Sequence, residues 1–80
     1  MELYQRVSLI KDESVYGLKK GDVATLIDFV DHPDGGEKGC IIEVINAIGE
    51  TIDVVTLPCS SVEPLKADEI LSVRHYSKAV

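Results

Sequence analysis

Tryptophan is absent from this 80-residue chain, and phenylalanine occurs once, tyrosine three times and methionine once. So few aromatics leave little on which nucleic-acid bases could stack. Basic residues are also in short supply, with 8 against 14 acids and a net charge of −6. Such a balance repels phosphate backbones. Before the C-terminal stretch the loop cations are Lys11, Lys19, Lys20 and Lys38, scattered and without aromatic neighbours. They read as solubilising charges on loops and strand edges rather than a nucleic-acid footprint.

The two cysteines, Cys40 and Cys59, are too few for a disulfide-rich secreted scaffold. The opening "MELYQRVSLI" does not read as a signal peptide, because Glu2 and Arg6 interrupt it. No apolar run approaches the ~20 residues of a membrane span. The expectation is therefore a cytoplasmic protein with two reduced thiols and no membrane association. Alanine is scarce and no long stretch has helical periodicity, which argues against a helical bundle.

What remains is apolar and β-branched. Hydrophobic residues make up 45% of the chain, and Val and Ile favour a pleated surface. A domain this small buries roughly 60–65% of its unfolded surface, so every strand must contribute to a thin core.

Period-two patterns predict strands at Tyr4–Ile10, Asp22–Asp31, Cys40–Asn46 and Thr51–Leu57. Val7 and Leu9 are candidate core residues. Between the first two strands lies "KDESVYGLKKGD", a long loop in which Val15 and Leu18 are expected to fold back as a lid. The second strand, "DVATLIDFVD", is apolar on both faces. Either both faces are covered or the strand bends at a bulge. Gly21 permits a sharp turn before it, and Asp22 can satisfy turn amides.

"HPDGGEKG" carries a turn signal in Pro33, Asp34, Gly35 and Gly36, and Gly49 supplies the positive φ of a hairpin. Pro58 ends the fourth strand. "CSSVEPL" predicts one tight helical turn and a short fifth strand. In the last stretch a strand over Ile70 to Arg74 is slightly preferred to a helical turn.

The fold expected is thus all-β: a small SH3-like barrel of five to six short antiparallel strands with one short helical turn. Residues 1–66 would form the barrel, and 67–80 a C-terminal strand or tail packing on it.

"YGLKKGDVATLIDF", "GETIDVVTLPCSSVEPL" and "DEILSVR" resemble a family of small bacterial proteins, common in cyanobacteria. It is known only as a domain of unknown function, numbered 4926. The resemblance spans nearly the whole chain. Ala24 stands where that family often has Gly, and Ile48 sits in a hairpin turn usually occupied by a polar residue. The resemblance implies an SH3-like barrel and no established activity. Relatives encoded beside toxin-like or nuclease-like proteins imply an antitoxin or immunity role.

Catalysis would need a nucleophile, a base and an orienting acid within reach. The candidates are Cys40, Cys59, Ser60 and Ser61 with His32 and His75. Cys40, however, opens an alternating strand and reads as core. The two Cys and two His lack the close spacing of a zinc site. Asp31, Asp34 and Glu37 fail the spacing of a calcium loop. No enzyme activity, cofactor or metal is expected. If a hairpin turns near Asn46 to Glu50, Cys40 lies opposite residue 57 and close to Cys59. A bridge between them is not favoured in a reducing cytosol.

The anomaly is apolar surplus. If Cys40, Ile42 and Val44 face inward, Ile41 and Ile45 face outward, with Ile48 at the adjacent turn. One of the sets Ile52/Val54 or Val55/Leu57 also faces out. Cover by the long loop or the tail is one reading, and a protein interface at Ile41, Ile45, Ile48 and Tyr16, including a homodimer, is the other.

The expectation is a non-catalytic protein-interaction module, an antitoxin-like or regulatory partner of a neighbouring gene product. The alternative is a nucleic-acid- or ribosome-associated small barrel, suggested by the Lys-Gly-Asp turn and opposed by the charge.

Overall fold

A computed structural model describes residues 1–32 and 34–77. Pro33 of the expected turn and residues 78–80 of the expected tail lie outside the described residues.

Five strands form one antiparallel sheet: β1 (Arg6–Leu9), β2 (Val23–Val30), β3 (Gly39–Ile45), β4 (Thr51–Pro58) and β5 (Val62–Pro64). Their order is β4-β3-β2-β1-β5. Two 3₁₀ turns complete the regular structure, Ser14–Tyr16 in the long loop and Cys59–Ser61 between β4 and β5. The first of these was not anticipated.

All five strands feed one core. Val7 and Leu9 from β1, Ala24 and Leu26 from β2, Cys40, Ile42 and Val44 from β3, Val55 and Leu57 from β4 and Val62 from β5 form a single buried cluster. A sheet can bring its two edge strands to the same cluster only by curling, as the right-handed twist and bulges of antiparallel strands allow.

The two-faced second strand has its explanation in a bulge. Leu26 pairs with Ile42, but Asp28 pairs with Ile41, so Ile27 is an extra residue on β2. The insertion flips the alternation: before it Ala24 and Leu26 point inward, and after it Phe29 does, packing on the core opposite Cys40. Asp28, which strict alternation would bury, is turned outward instead.

Two expectations fail locally. Leu18 is buried as expected, but Val15 is 78% exposed. The loop is closed by reciprocal backbone bonds between Glu13 and Leu18 (2.9 and 3.1 Å). The tight 3₁₀ turn then directs Tyr16 to the core and Val15 outward, since successive side chains of such a turn cannot share one face.

The strand expected over Ile70 to Arg74 does not form. β5 already occupies the edge of β1 and ends at Pro64, which has no N–H to extend a ladder. After Leu65 donates to the Arg6 carbonyl (3.2 Å), the chain reverses at Lys66–Glu69. There the Lys66 N–H donates to Glu69 Oε1 (2.6 Å) and the Glu69 N–H to the Lys66 carbonyl (3.1 Å).

Candidate functional site

The first candidate surface is the outer face of the β3–β4 hairpin. Cys40 pairs with Leu57, Ile41 with Thr56, Glu43 with Val54 and Ile45 with Thr51. Because side chains alternate, Ile41, Glu43, Ile45, Val54 and Thr56 lie on the side away from the core. Ile41 and Ile45 are half-buried, whereas Val54 is 51% exposed. β4 is an edge strand of the sheet.

The hairpin tip holds Ile48 out rigidly. Asn46 Oδ1 accepts the N–H groups of Ile48 (3.1 Å) and Glu50 (2.9 Å), and Asn46 Nδ2 donates to Glu50 Oε1 (2.8 Å). The Asn46 N–H donates to the Glu50 carbonyl (2.8 Å), and Gly49 takes φ +86°. This Asx-type turn fixes a side chain that is 81% exposed. Three of the four interface residues expected from sequence therefore belong to one hairpin. Tyr16 does not: it sits in the 3₁₀ turn of the long loop, half-buried and packed on the core.

A second site was missed by the sequence reading. The Lys19–Asp22 turn is stitched by its own backbone: the Gly21 N–H donates to the Leu9 carbonyl (2.8 Å) and the Asp22 N–H to the Lys19 carbonyl (3.0 Å). Gly21 has φ +91°. Asp22 Oδ2 accepts the Lys19 N–H (2.7 Å), as expected of a turn aspartate.

The same carboxylate grips the C-terminal segment. Arg74 Nε donates to Asp22 Oδ1 (2.8 Å), and Nη2 donates both to Asp22 Oδ2 and to the Gly17 carbonyl (2.9 Å). Nη1 donates to the His75 carbonyl (2.8 Å). Two residues on, the Tyr76 hydroxyl donates to the Tyr16 carbonyl (3.3 Å) and its ring packs on the core.

This is a bidentate arginine–carboxylate pair, with Asp22 half-buried and Arg74 exposed. Partial burial pushes the Asp22 carboxyl up, but the Arg74 hydrogen bonds, the Lys19 amide and the charges of Arg74 and Lys19 outweigh it. They hold the group below its ordinary value. The bonds to Asp22 raise Arg74 in turn. A cleft of about 380 Å³ adjoins the pair, with Asp12, Ser14, Lys19 and His75 on its walls.

Cys40 and Cys59 are joined in a disulfide, with Cα atoms 5.1 Å apart. This corrects the expectation of two free thiols. The hairpin register was read correctly, with Cys40 opposite Leu57. The 3₁₀ turn beginning at Cys59 then folds back over β3, within bridging distance. The Cys59 N–H donates to the Lys38 carbonyl (3.0 Å). Glu37 accepts both the N–H (2.7 Å) and the hydroxyl (2.9 Å) of Ser60. Those two bonds hold the Glu37 carboxyl below its ordinary value.

The candidate nucleophiles are thus engaged elsewhere. Both sulfurs are spent on each other, Ser60 is bonded to Glu37, and Ser61 is fully buried. His32 Nδ1 accepts the Asp34 N–H (3.1 Å) within its own turn. Among the described residues no group of three or more His, Cys, Asp or Glu could hold a metal ion. No helix of the described chain is long and apolar enough to cross a membrane.

No curated protein and no solved structure matches the chain. A family model matches from residue 3 to residue 64, the last residue of β5, so Arg74 and the closing Val-Arg lie beyond it. Its span covers well over half of the 80 residues, and the chain belongs to the family described as Domain of unknown function (DUF4926).

Proposed function

We propose that this chain is a non-catalytic protein-interaction module that binds a partner through the outer face of the β3–β4 hairpin. The observation that carries the reading is exposed Val54 beside the half-buried Ile41 and Ile45, continued by exposed Ile48 at a tip whose backbone is held by Asn46. Contiguous exposed apolar surface is costly in a monomer and marks association sites. A pre-organised tip lowers the entropy lost in docking.

The strand order and the 3₁₀ turn ahead of β5 support an SH3-like barrel as the scaffold. The family resemblance supports a bacterial, cyanobacterial setting and an antitoxin-like or regulatory partnership with a neighbouring gene product. The cytoplasmic expectation now meets a disulfide, a bond that persists in oxidising compartments. Thiol counting in freshly lysed cells decides between them.

The test is affinity purification of tagged wild-type protein beside Ile48→Asp/Val54→Asp, at low and high salt. A stoichiometric protein that survives high salt and is lost with the double variant supports the reading. Retention by the variant refutes this face. RNA released at high salt would favour the nucleic-acid alternative, since phosphate contacts weaken steeply with salt.

A further inference from the structure

The C-terminal segment is held at its end and bare in its middle. Beyond the Lys66–Glu69 reversal, Ile70 is 94% exposed, Val73 is 92% exposed and Leu71 is also exposed. Among the described residues, no backbone hydrogen bond joins residues 70–73 to the rest of the chain. The hydrogen bonds that attach it come from Arg74 on Asp22 and Gly17 and from Tyr76 on Tyr16, and the Tyr76 ring packs on the core. A chain that docked only on itself would gain nothing from three large apolar side chains facing solvent.

We infer that two copies of the chain exchange these segments, so that Arg74 and Tyr76 of each copy occupy the Asp22–Gly17 and Tyr16 positions of the other. The receptor is formed without its ligand. Asp22 is oriented by the Lys19 amide, and Gly17 is fixed in the left-handed region (φ +68°) at the end of the 3₁₀ turn. The ligand is a guanidinium followed at two residues by a tyrosine, and the chain supplies both halves. The hinge is the Lys66–Glu69 reversal, which is closed by two hydrogen bonds and exposed from Lys66 onward.

Exchange re-forms every latch contact, so its cost is confined to opening the hinge and pairing two molecules. Its gain is new. The two Ile70–Val73 stretches leave their own bodies, run between the copies and cover each other. The exchange thus accounts for both the strong latch and the bare stretch. It uses a surface separate from the β3–β4 hairpin and stands independently of that reading.

The experiment uses two full-length variants. Asp22→Asn keeps an acceptor for the Lys19 amide but loses the charge that binds Arg74. Arg74→Gln keeps the receptor and loses the ligand. Neither can form the charged Arg74–Asp22 pair within itself or with its own kind. A mixture can form it in one way only, with Arg74 of the first on Asp22 of the second.

Wild type should dimerise with rising concentration in sedimentation between about 10 µM and 1 mM. Native mass spectrometry of the 1:1 mixture should show a heterodimer-to-homodimer ratio about tenfold above that of the statistical 1:2:1 mixture, the worth of one bidentate charged pair. A wild type that stays monomeric to about 1 mM overturns the inference. So does a mixture with no excess heterodimer. If wild type dimerises, the mixture shows no excess and Ile48→Asp abolishes the dimer, self-association belongs to the hairpin face instead.

Discussion

Reducing the Cys40–Cys59 disulfide should cost the fold about 3 kcal/mol at 25 °C. The two cysteines are 19 residues apart, and the chain-entropy relation assigns about that much to a closed loop of this length. Little of the loss should arise in the native state. After reduction the β3–β4 ladder still spans Gly39 to Ile45, the Cys59 N–H still meets the Lys38 carbonyl, and Glu37 still holds Ser60. What changes is the unfolded chain, which gains the freedom the bridge denied it. A domain of this length is stable by roughly 4–12 kcal/mol in all, so the bridge is a large share. The melting temperature should fall by roughly 12–24 °C.

The assay is urea and thermal unfolding followed by circular dichroism, with and without reductant, and with two thiols per chain confirmed by titration. The urea m-value should rise on reduction, because the freed unfolded chain exposes more surface. Cys40→Ala/Cys59→Ala should track the reduced protein and lose about 1 kcal/mol more, for the void at the fully buried Cys40. Complete reduction with a loss under about 1 kcal/mol would refute the reasoning. It would mean that the unfolded chain keeps the hairpin closed unaided.

Asp22→Asn should destabilise the fold by about 1 kcal/mol at neutral pH. Because the folded carboxyl lies below its ordinary value of 3.8, the contribution is full above that value and is lost as pH falls through the lowered one. Wild-type and variant pH–stability curves should therefore converge only in strong acid. Ser61→Ala should be neutral or stabilise by up to about 1 kcal/mol in the same melts, because the Ser61 hydroxyl is buried with no partner among the described residues. Gly49→Ala should cost about 1 kcal/mol through its φ of +86° alone, since an added Cβ would meet no atom within 4 Å. Equal stability of that variant would remove the hairpin's need for the left-handed residue.

Three of the strands, β2, β3 and β4, could be read from the sequence to within one residue at each end. Their alternation is strong, and their ends are marked by Gly21, Gly49 and Pro58, whose roles follow from local chemistry alone. β1 came out shorter than expected because Tyr4 leaves the extended region with φ +66°. The bulge at Ile27 was legible as an excess of apolar residues on β2, though not its position, which depends on how β3 pairs with it. The disulfide was misjudged although the geometry was in hand. The register placed Cys59 near Cys40, and an argument about compartment was set against it. The latch could not be read in advance. Arg74 and Asp22 are 52 residues apart, and β-branched residues before Arg74 suggested a strand. Only the path of the chain after Pro64 shows that the edge of β1 is already taken by β5 and that the segment turns away from the sheet.

Why a short acidic chain should place Lys-Lys-Gly-Asp before its most apolar strand now has a twofold physical answer. A carboxylate offers about four acceptor positions. The Lys19 amide takes one at Asp22 Oδ2, which closes the turn and starts β2 in register with β1. The remaining positions face Arg74. The Lys20 amide is drawn to Asp12 Oδ1 (2.8 Å), so both lysines are pinned by their backbones while their side chains stay in water. The turn therefore needs an acceptor at residue 22 but does not need a charge there. Asparagine would serve the architecture as well. Only the arginine at the far end of the chain requires aspartate. The difference between Asp and Asn at this one position thus separates what builds the domain from what fastens its tail.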